Sequence, residues 1–177
     1  MDETYGCAKP MPLRVVPLWW NAIRLSDDPL SPQLQHLPEK TKTSLLKAGL
    51  YVFEGCHDSR PDGGILYIGQ VGAASERDLT KRVVESSKRV IWKSGDESGF
   101  FADVWGITLR WASIEDQSII KQIESLLIAA HAPSFNAQKV RSGIATEAHD
   151  LLVMNGGAKG RLMPVLCGHY YNTSLWT

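Results

Sequence analysis

The chain has 177 residues, enough for one domain with a proper core and too few for two comfortable ones, and its 44% apolar and 21% charged content match ordinary globular proteins rather than disordered or fibrous ones. Nineteen basic residues balance nineteen acidic ones, so no overall cationic excess draws the chain to phosphate or to a membrane surface. The start, Met1-Asp-Glu-Thr-Tyr-Gly-Cys, carries acid where a secretory leader carries base. No run approaches the roughly eighteen apolar residues that cross a bilayer. Cys7, Cys56 and Cys167 form an odd set without a C-x-x-C pair, which suits reduced thiols and a cytoplasmic location.

In chain order, Leu13–Trp20 has strand character, with Trp19 and Trp20 expected to pack beneath another element, and 27–38 with its prolines has loop character. Gly49-Leu-Tyr-Val-Phe and Gly64-Ile-Leu-Tyr-Ile-Gly are two β-rich runs, expected to pair as an antiparallel hairpin through a Gly-, Asp- and Pro-rich connection over 54–63. Ser75-Glu-Arg-Asp78 has the form of a capping box ahead of Leu79, Val83, Ser86 and Val90, so a helix is expected to begin there. Between Glu76 and Lys93 the basic residues Arg77, Lys81, Arg82, Lys88, Arg89 and Lys93 outnumber Glu76, Asp78 and Glu85. Such a stretch serves equally as a solvated helix face or as a phosphate contact.

Residues 103–112 alternate, with Trp105, Ile107, Leu109 and Trp111 on one face, and predict a third strand. Residues 116–130 carry apolar side chains at helical spacing until Pro133 ends the run. Beyond Asn136 a short helix over 146–154, a turn at Asn155-Gly-Gly and a last strand over 162–166 are expected. Gly156-Gly-Ala-Lys-Gly-Arg lacks the spacing of a phosphate-binding loop and is expected to be a plain connection.

Two charged side chains sit awkwardly for bland roles. Glu124 lies at the shoulder of the apolar helix stripe, either partly exposed and reaching water or compensated by a cation, a metal or several donors. Arg82 borders the packed face of its own helix, where a salt bridge to Glu85 or Glu124 and a bidentate hold on phosphate suit it equally. Tyr51 and Tyr67 taken singly are strand aromatics with hydroxyls to satisfy.

Taken together, Gly49-Leu50-Tyr51, then Tyr67-Ile68-Gly69, Arg82 in a following helix, Glu124 in a later one and Pro133-Ser-Phe-Asn136 resemble, in order, the GIY-YIG nuclease family. The stretch Glu124-Ser-Leu-Leu-Ile-Ala-Ala-His-Ala-Pro-Ser-Phe-Asn136 is the most similar part. The resemblance implies an α+β fold, a small three-stranded antiparallel sheet flanked by helices, with a nuclease domain over 48–140, an N-terminal arm over 1–47 and a C-terminal extension over 141–177. It implies that Tyr51 and Tyr67 flank the attacking water, that Arg82 holds the scissile phosphate, that Glu124 binds Mg²⁺ (or Mn²⁺), and that Asn136 braces the site. Gly69, Arg77, Lys81, Lys88 and Arg89 are the accompanying candidate substrate contacts.

These residue types suit phosphodiester hydrolysis, which needs an in-line nucleophile and neutralised charge on the phosphate and leaving oxygen. An unperturbed tyrosine is ionised in about one molecule per thousand at neutral pH, so a tyrosine base needs positive charge nearby. The chain departs from the family in three places. Ser86 stands where many members have a histidine or tyrosine, Gln70 where repair-type members often have lysine, and the link from Gly69 to Arg82 is long, which leaves Arg77 as an alternative phosphate holder. His36, His57, His131, His149 and His169 have no zinc-site spacing, and His57 is the one near the expected site. The expected function is metal-dependent DNA cleavage of restriction or genome-defence type, with target recognition by the extensions or by a homodimer. The alternatives are another nuclease role in repair, mobile-element processing or toxicity, and a non-catalytic nucleic-acid-binding module.

Overall fold

The computed structural model describes residues 12–25, 48–57, 60–71, 104–136 and 148–171, with Glu39 and Arg82 as single helical positions. Among the described residues six strands form one mixed, curled sheet: β1 (Arg14–Arg24), β2 (Gly49–His57), β3 (Arg60–Val71), β4 (Val104–Ser113), β5 (Leu151–Gly157) and β6 (Val165–Cys167), in the order β3-β2-β4-β1-β5-β6. Apart from the single helical positions Glu39 and Arg82, the α-helix among the described residues is α1 (Ile120–His131), entered through a 3₁₀ turn at Gln117–Ile119.

This overturns the expected three-stranded sheet flanked by helices, because 55% of the described residues are strand and the sheet has twice the expected width. The strands foreseen at Gly49, Gly64 and Asp103 do form the antiparallel unit β3-β2-β4. Strands also lie where they were expected near Leu13–Trp20 (β1) and 162–166 (β6), but that they and β5 extend this same sheet was not foreseen. β1 pairs with β4 antiparallel and with β5 parallel, and β5 pairs with β6. The helix expected over 146–154 is strand from Leu151 onward, and Asn155-Gly-Gly continues β5 rather than turning. Leu151, Val153 and Asn155 are buried alternately with their neighbours, a period of two that outweighs the local glycines. The connection foreseen over 54–63 is also mostly strand, since β2 runs to His57 and β3 begins at Arg60.

β2 is buried from Gly49 to Gly55, as a strand with neighbours on both edges and cover on both faces must be. Its alternate residues feed two apolar clusters. Leu50 and Val52 join Ile68, Leu18, Trp20 and the α1 residues Ile120, Ile123 and Leu127 on one face. Tyr51 and Phe53 join Leu66, Tyr67, Leu109, Trp111 and Phe135 on the other.

Helix α1 packs mainly on β3. Asp116 starts the preceding turn by accepting from Ser118 N (3.1 Å) and Ser118 Oγ (2.6 Å). Ala132, in the left-handed region at φ 42°, ends the helix by donating its N–H to Ile128 O, and Pro133 prevents continuation. The loop expected over 27–38 and the helix expected from Ser75 lie outside the described residues, apart from Arg82, which is helical.

Candidate functional site

Tyr67-Ile68-Gly69 in β3 is the point where the motif pieces meet, and each of its three residues is engaged. Tyr67 faces Tyr51, with ring centroids 6.0 Å apart and planes inclined by 38°. Gly69 is the register partner of Tyr51, whose ring lies so close across it that any side chain at 69 would overlap the phenol. Ile68 is held by Asn136, whose Oδ1 accepts the Ile68 N–H at 2.9 Å while its Nδ2 donates to the Ile68 carbonyl, also at 2.9 Å. Next to it, Phe135 N donates to Leu66 O at 2.9 Å. Pro133–Asn136 thereby acts as a partner to the free edge of β3, which would otherwise present unpaired backbone groups.

The other motif glycine, Gly49, has an equally local cause. It sits against the Ala112 carbonyl of β4 in a space that admits no Cβ. Tyr51 is fully buried, Tyr67 is half-buried, and Phe53 meets the Tyr51 ring edge-on at 5.9 Å. Of the two hydroxyl-bearing rings, Tyr67 is therefore the more accessible.

Glu124 and Asn136 are 4% and 5% exposed. The first number decides between the two readings of Glu124: its carboxylate does not reach out to water but is buried and partnered. The apolar residues of α1 belong to the cluster on the face of the sheet opposite Tyr51, and the segment after α1 wraps the β3 edge to bring Phe135 into the tyrosine cluster. Glu124 is on the helix that packs against that opposite face. Arg82 is helical, half-buried and also partnered. Arg77, Lys81, Lys88, Arg89 and Ser86 lie outside the described residues. His57 packs its ring against Phe135 at 5.8 Å, edge to face.

A divalent cation requires hard oxygen donors, and Glu124 offers one carboxylate of that kind. Among the described residues no group of three or more His, Cys, Asp or Glu side chains converges as a metal site.

Sequence reasoning missed a second polar cluster. Glu54, 8% exposed, accepts from Arg110 Nε at 2.6 Å and from Arg161 N at 2.8 Å, and Arg161 Nε lies 3.6 Å from the same carboxylate. Arg110 Nη1 also donates to Ala158 O, and Arg161 Nη2 donates to Asp62 O, both at 2.5 Å. These bonds fasten the glycine-rich link after β5 across β2 and β4. The available clue was alternation: in Leu50, Val52, Glu54 the acid falls on the apolar face and needs cations there.

Trp19 departs from expectation as well. Trp20 is 1% exposed and donates Nε1–H to Asn155 Oδ1 at 2.8 Å, but Trp19 is 73% exposed. Adjacent strand residues face opposite ways, so only one of the pair could be buried by a single layer. No helix is long and apolar enough to cross a membrane among the described residues. No family model, no curated protein and no solved structure matches the chain.

Proposed function

We propose that the chain is a metal-dependent nuclease that hydrolyses DNA phosphodiester bonds in a restriction or genome-defence role, working through the residues of its GIY-YIG-like motif. The observation that supports this reading is the engagement of all three residues of Tyr67-Ile68-Gly69, by Tyr51 across the β2–β3 hairpin and by Asn136 from 68 residues further along the chain.

In this reading the Tyr67 hydroxyl orients and deprotonates the attacking water, while the buried Tyr51 ring fixes Tyr67 from behind. Arg82 holds the scissile phosphate through its planar guanidinium, whose fork of donors fits two phosphate oxygens. Asn136 keeps β3 in register, so that Tyr67 stays aimed. Mg²⁺ or Mn²⁺ bound by Glu124 would supply charge neutralisation at the phosphate and the leaving oxygen.

A second reading is favoured by the burial of Tyr51, Glu124 and Asn136, each partnered as a structural residue would be. It is a nucleic-acid-binding module in which the motif serves only the fold. Incubating the protein with plasmid and oligonucleotide DNA, in Mg²⁺ or in EDTA, beside Tyr67→Phe and Glu124→Gln, separates the two. The nuclease reading expects metal-dependent cutting that falls on the order of a hundredfold or more in Tyr67→Phe while the melting temperature holds. Binding without cutting supports the module, and cutting that persists in both variants overturns the site.

A further inference from the structure

The neighbouring strands β1, β5 and β6 carry apolar side chains on both of their faces. On one face Leu18, Trp20, Leu151, Val153 and Leu166 belong to the cluster that contains α1. The other face consists of rows set by the strand register. Val15 stands beside Leu152 and Cys167, Pro17 beside Met154 and Val165, and Trp19 beside Gly156. None of these residues is charged. A sheet face turned to water ordinarily carries polar side chains, whereas strands that are apolar on both sides are those with cover on both sides.

This second face is open. Trp19 is 73% exposed, Val15 55%, Val165 50% and Met154 46%, and Pro17 is exposed between them. A Cβ at Gly156 would meet Cε3 and Cζ3 of the Trp19 indole at 3.0 and 3.1 Å, and one at Gly157 would meet Cε2 and Nε1 at 3.0 Å. The ring therefore lies across the bare backbone of two glycines of β5 instead of standing up from it, and the rows stay level. Together they leave roughly 500 Å² of apolar surface bare, the upper end of what a monomer exposes. A standard interface buries about 800 Å² on each partner, and about 65% of a homodimer contact is apolar, so the patch matches the apolar core of one such interface.

The lack of charge narrows the occupant. A nucleic-acid strand needs cations for its phosphates, and these rows have none. A face without charge is instead its own complement, because a two-fold axis sets it against an identical face with no like charges brought together. Level sheet faces pack in this manner about 10 Å apart, with their side chains interdigitated. Asn21, exposed on the same face just beyond Trp19, supplies a polar rim at one end.

We infer that a second copy of this chain covers the face, forming a two-fold dimer by sheet-on-sheet packing. Met154 lies in the middle row of the middle strand, between Pro17 and Val165, so the axis passes close to it and sets it against its own counterpart. Trp19 is the large aromatic anchor of the contact. Asn21 faces the same way as its register partner Trp111, itself paired with Tyr51, so the patch is continuous with the side of the sheet that carries the tyrosine pair. The dimer thus unites two candidate sites in one assembly. It stands apart from the nuclease reading, since the apolar rows call for cover whatever the tyrosines do.

The test is sedimentation velocity of the full chain over a concentration series, for the wild type, Met154→Lys, Met154→Glu and an equimolar mixture of the two variants. The expected result is a wild-type dimer whose Kd rises roughly thirtyfold or more in either variant alone, because like charges then meet at the axis. The mixture should recover most of the dimer, since opposite charges face each other across it. Melting temperatures should hold, as Met154 is half exposed. Should a charge at 154 abolish the melting transition, Val15→Lys and Val15→Glu, on the more exposed outer row, take the place of that pair. A wild type that stays monomeric throughout, a dimer that persists in the single variants, or a mixture that recovers nothing overturns the inference. Metal-dependent cutting by a monomeric wild type would overturn the dimer and leave the nuclease reading standing.

Discussion

Asn136 grips Ile68 by both of its backbone groups, one bond in each direction at 2.9 Å, and so serves as a one-residue strand on the open edge of β3. Asn136→Ala strands a buried N–H and a buried carbonyl together. Leaving a buried polar group unpaired costs about 1–3 kcal/mol, and two share this site, so a loss of roughly 2–4 kcal/mol in urea unfolding is expected. Asn136→Asp keeps the acceptor but sets a buried carboxylate oxygen against the Ile68 carbonyl, and should be at least as unstable as the alanine variant at neutral pH. Equal stability of all three proteins would show that the edge does not need its clamp.

Gly69 gives a sharper test of the tyrosine packing. A methyl group there would intrude on the Tyr51 phenol, which is fully buried and has no open side to retreat into. Gly69→Ala should cost about 1–3 kcal/mol through overpacking. Combining it with Tyr51→Leu should return part of that loss, because the smaller side chain clears the space. Strict additivity in the double-mutant cycle would separate the two residues energetically.

The Glu54 carboxylate bridges two elements that are distant in sequence. Its side chain is 10% exposed and that of Arg110 15%, so deleting the acid leaves a guanidinium in a poorly hydrated place. Glu54→Ala should destabilise by about 3–5 kcal/mol. Glu54→Ala with Arg110→Met should be much less unstable than the single change, since no charge is then left without its counterpart. The double variant also tests whether these bonds hold the link after β5, which should become more open to limited proteolysis near Lys159 and Arg161 when they are removed.

These relationships differ in how well the chain announces them. The strands around Tyr51, Tyr67 and Trp111 are plain in the sequence, since β-branched and aromatic residues alternate there between turn formers. So is α1, whose apolar spacing ends at Pro133. The extra half of the sheet is not, because β1–β5 is a parallel pair joining Arg14 to Leu151, and nothing local encodes a partner so remote. Asn155-Gly-Gly has turn composition and becomes strand because Asn155 is wanted in the core, where it accepts from Trp20 and donates to Met163 O at 2.8 Å. Of the site, Gly69 and Asn136 could be selected by motif, but their reasons, a phenol ring overhead and an unpaired strand edge, exist only in three dimensions.

His131 closes α1 and carries a pH dependence of definite sign. Its Nε2 accepts the Met163 N–H at 3.4 Å, which requires that nitrogen to be unprotonated. Burial lowers its pKa below the ordinary 6.5, because the charged imidazolium is poorly solvated there. A group whose folded pKa is depressed favours the folded state above the unfolded value and loses that contribution as pH falls through the folded one. Thermal stability should therefore be level above about pH 6.5 and decline below it as His131 takes up a proton. Asp116 and Asp150 are likewise held below 3.8, by bonds from Ser118 and Arg14 respectively, and they act in a separate and more acidic window. Melting curves from pH 8 to pH 3 should then show two declines, and His131→Gln, which keeps an acceptor but does not titrate, should remove the first and leave the second. A first decline that survives in His131→Gln would assign it to another group.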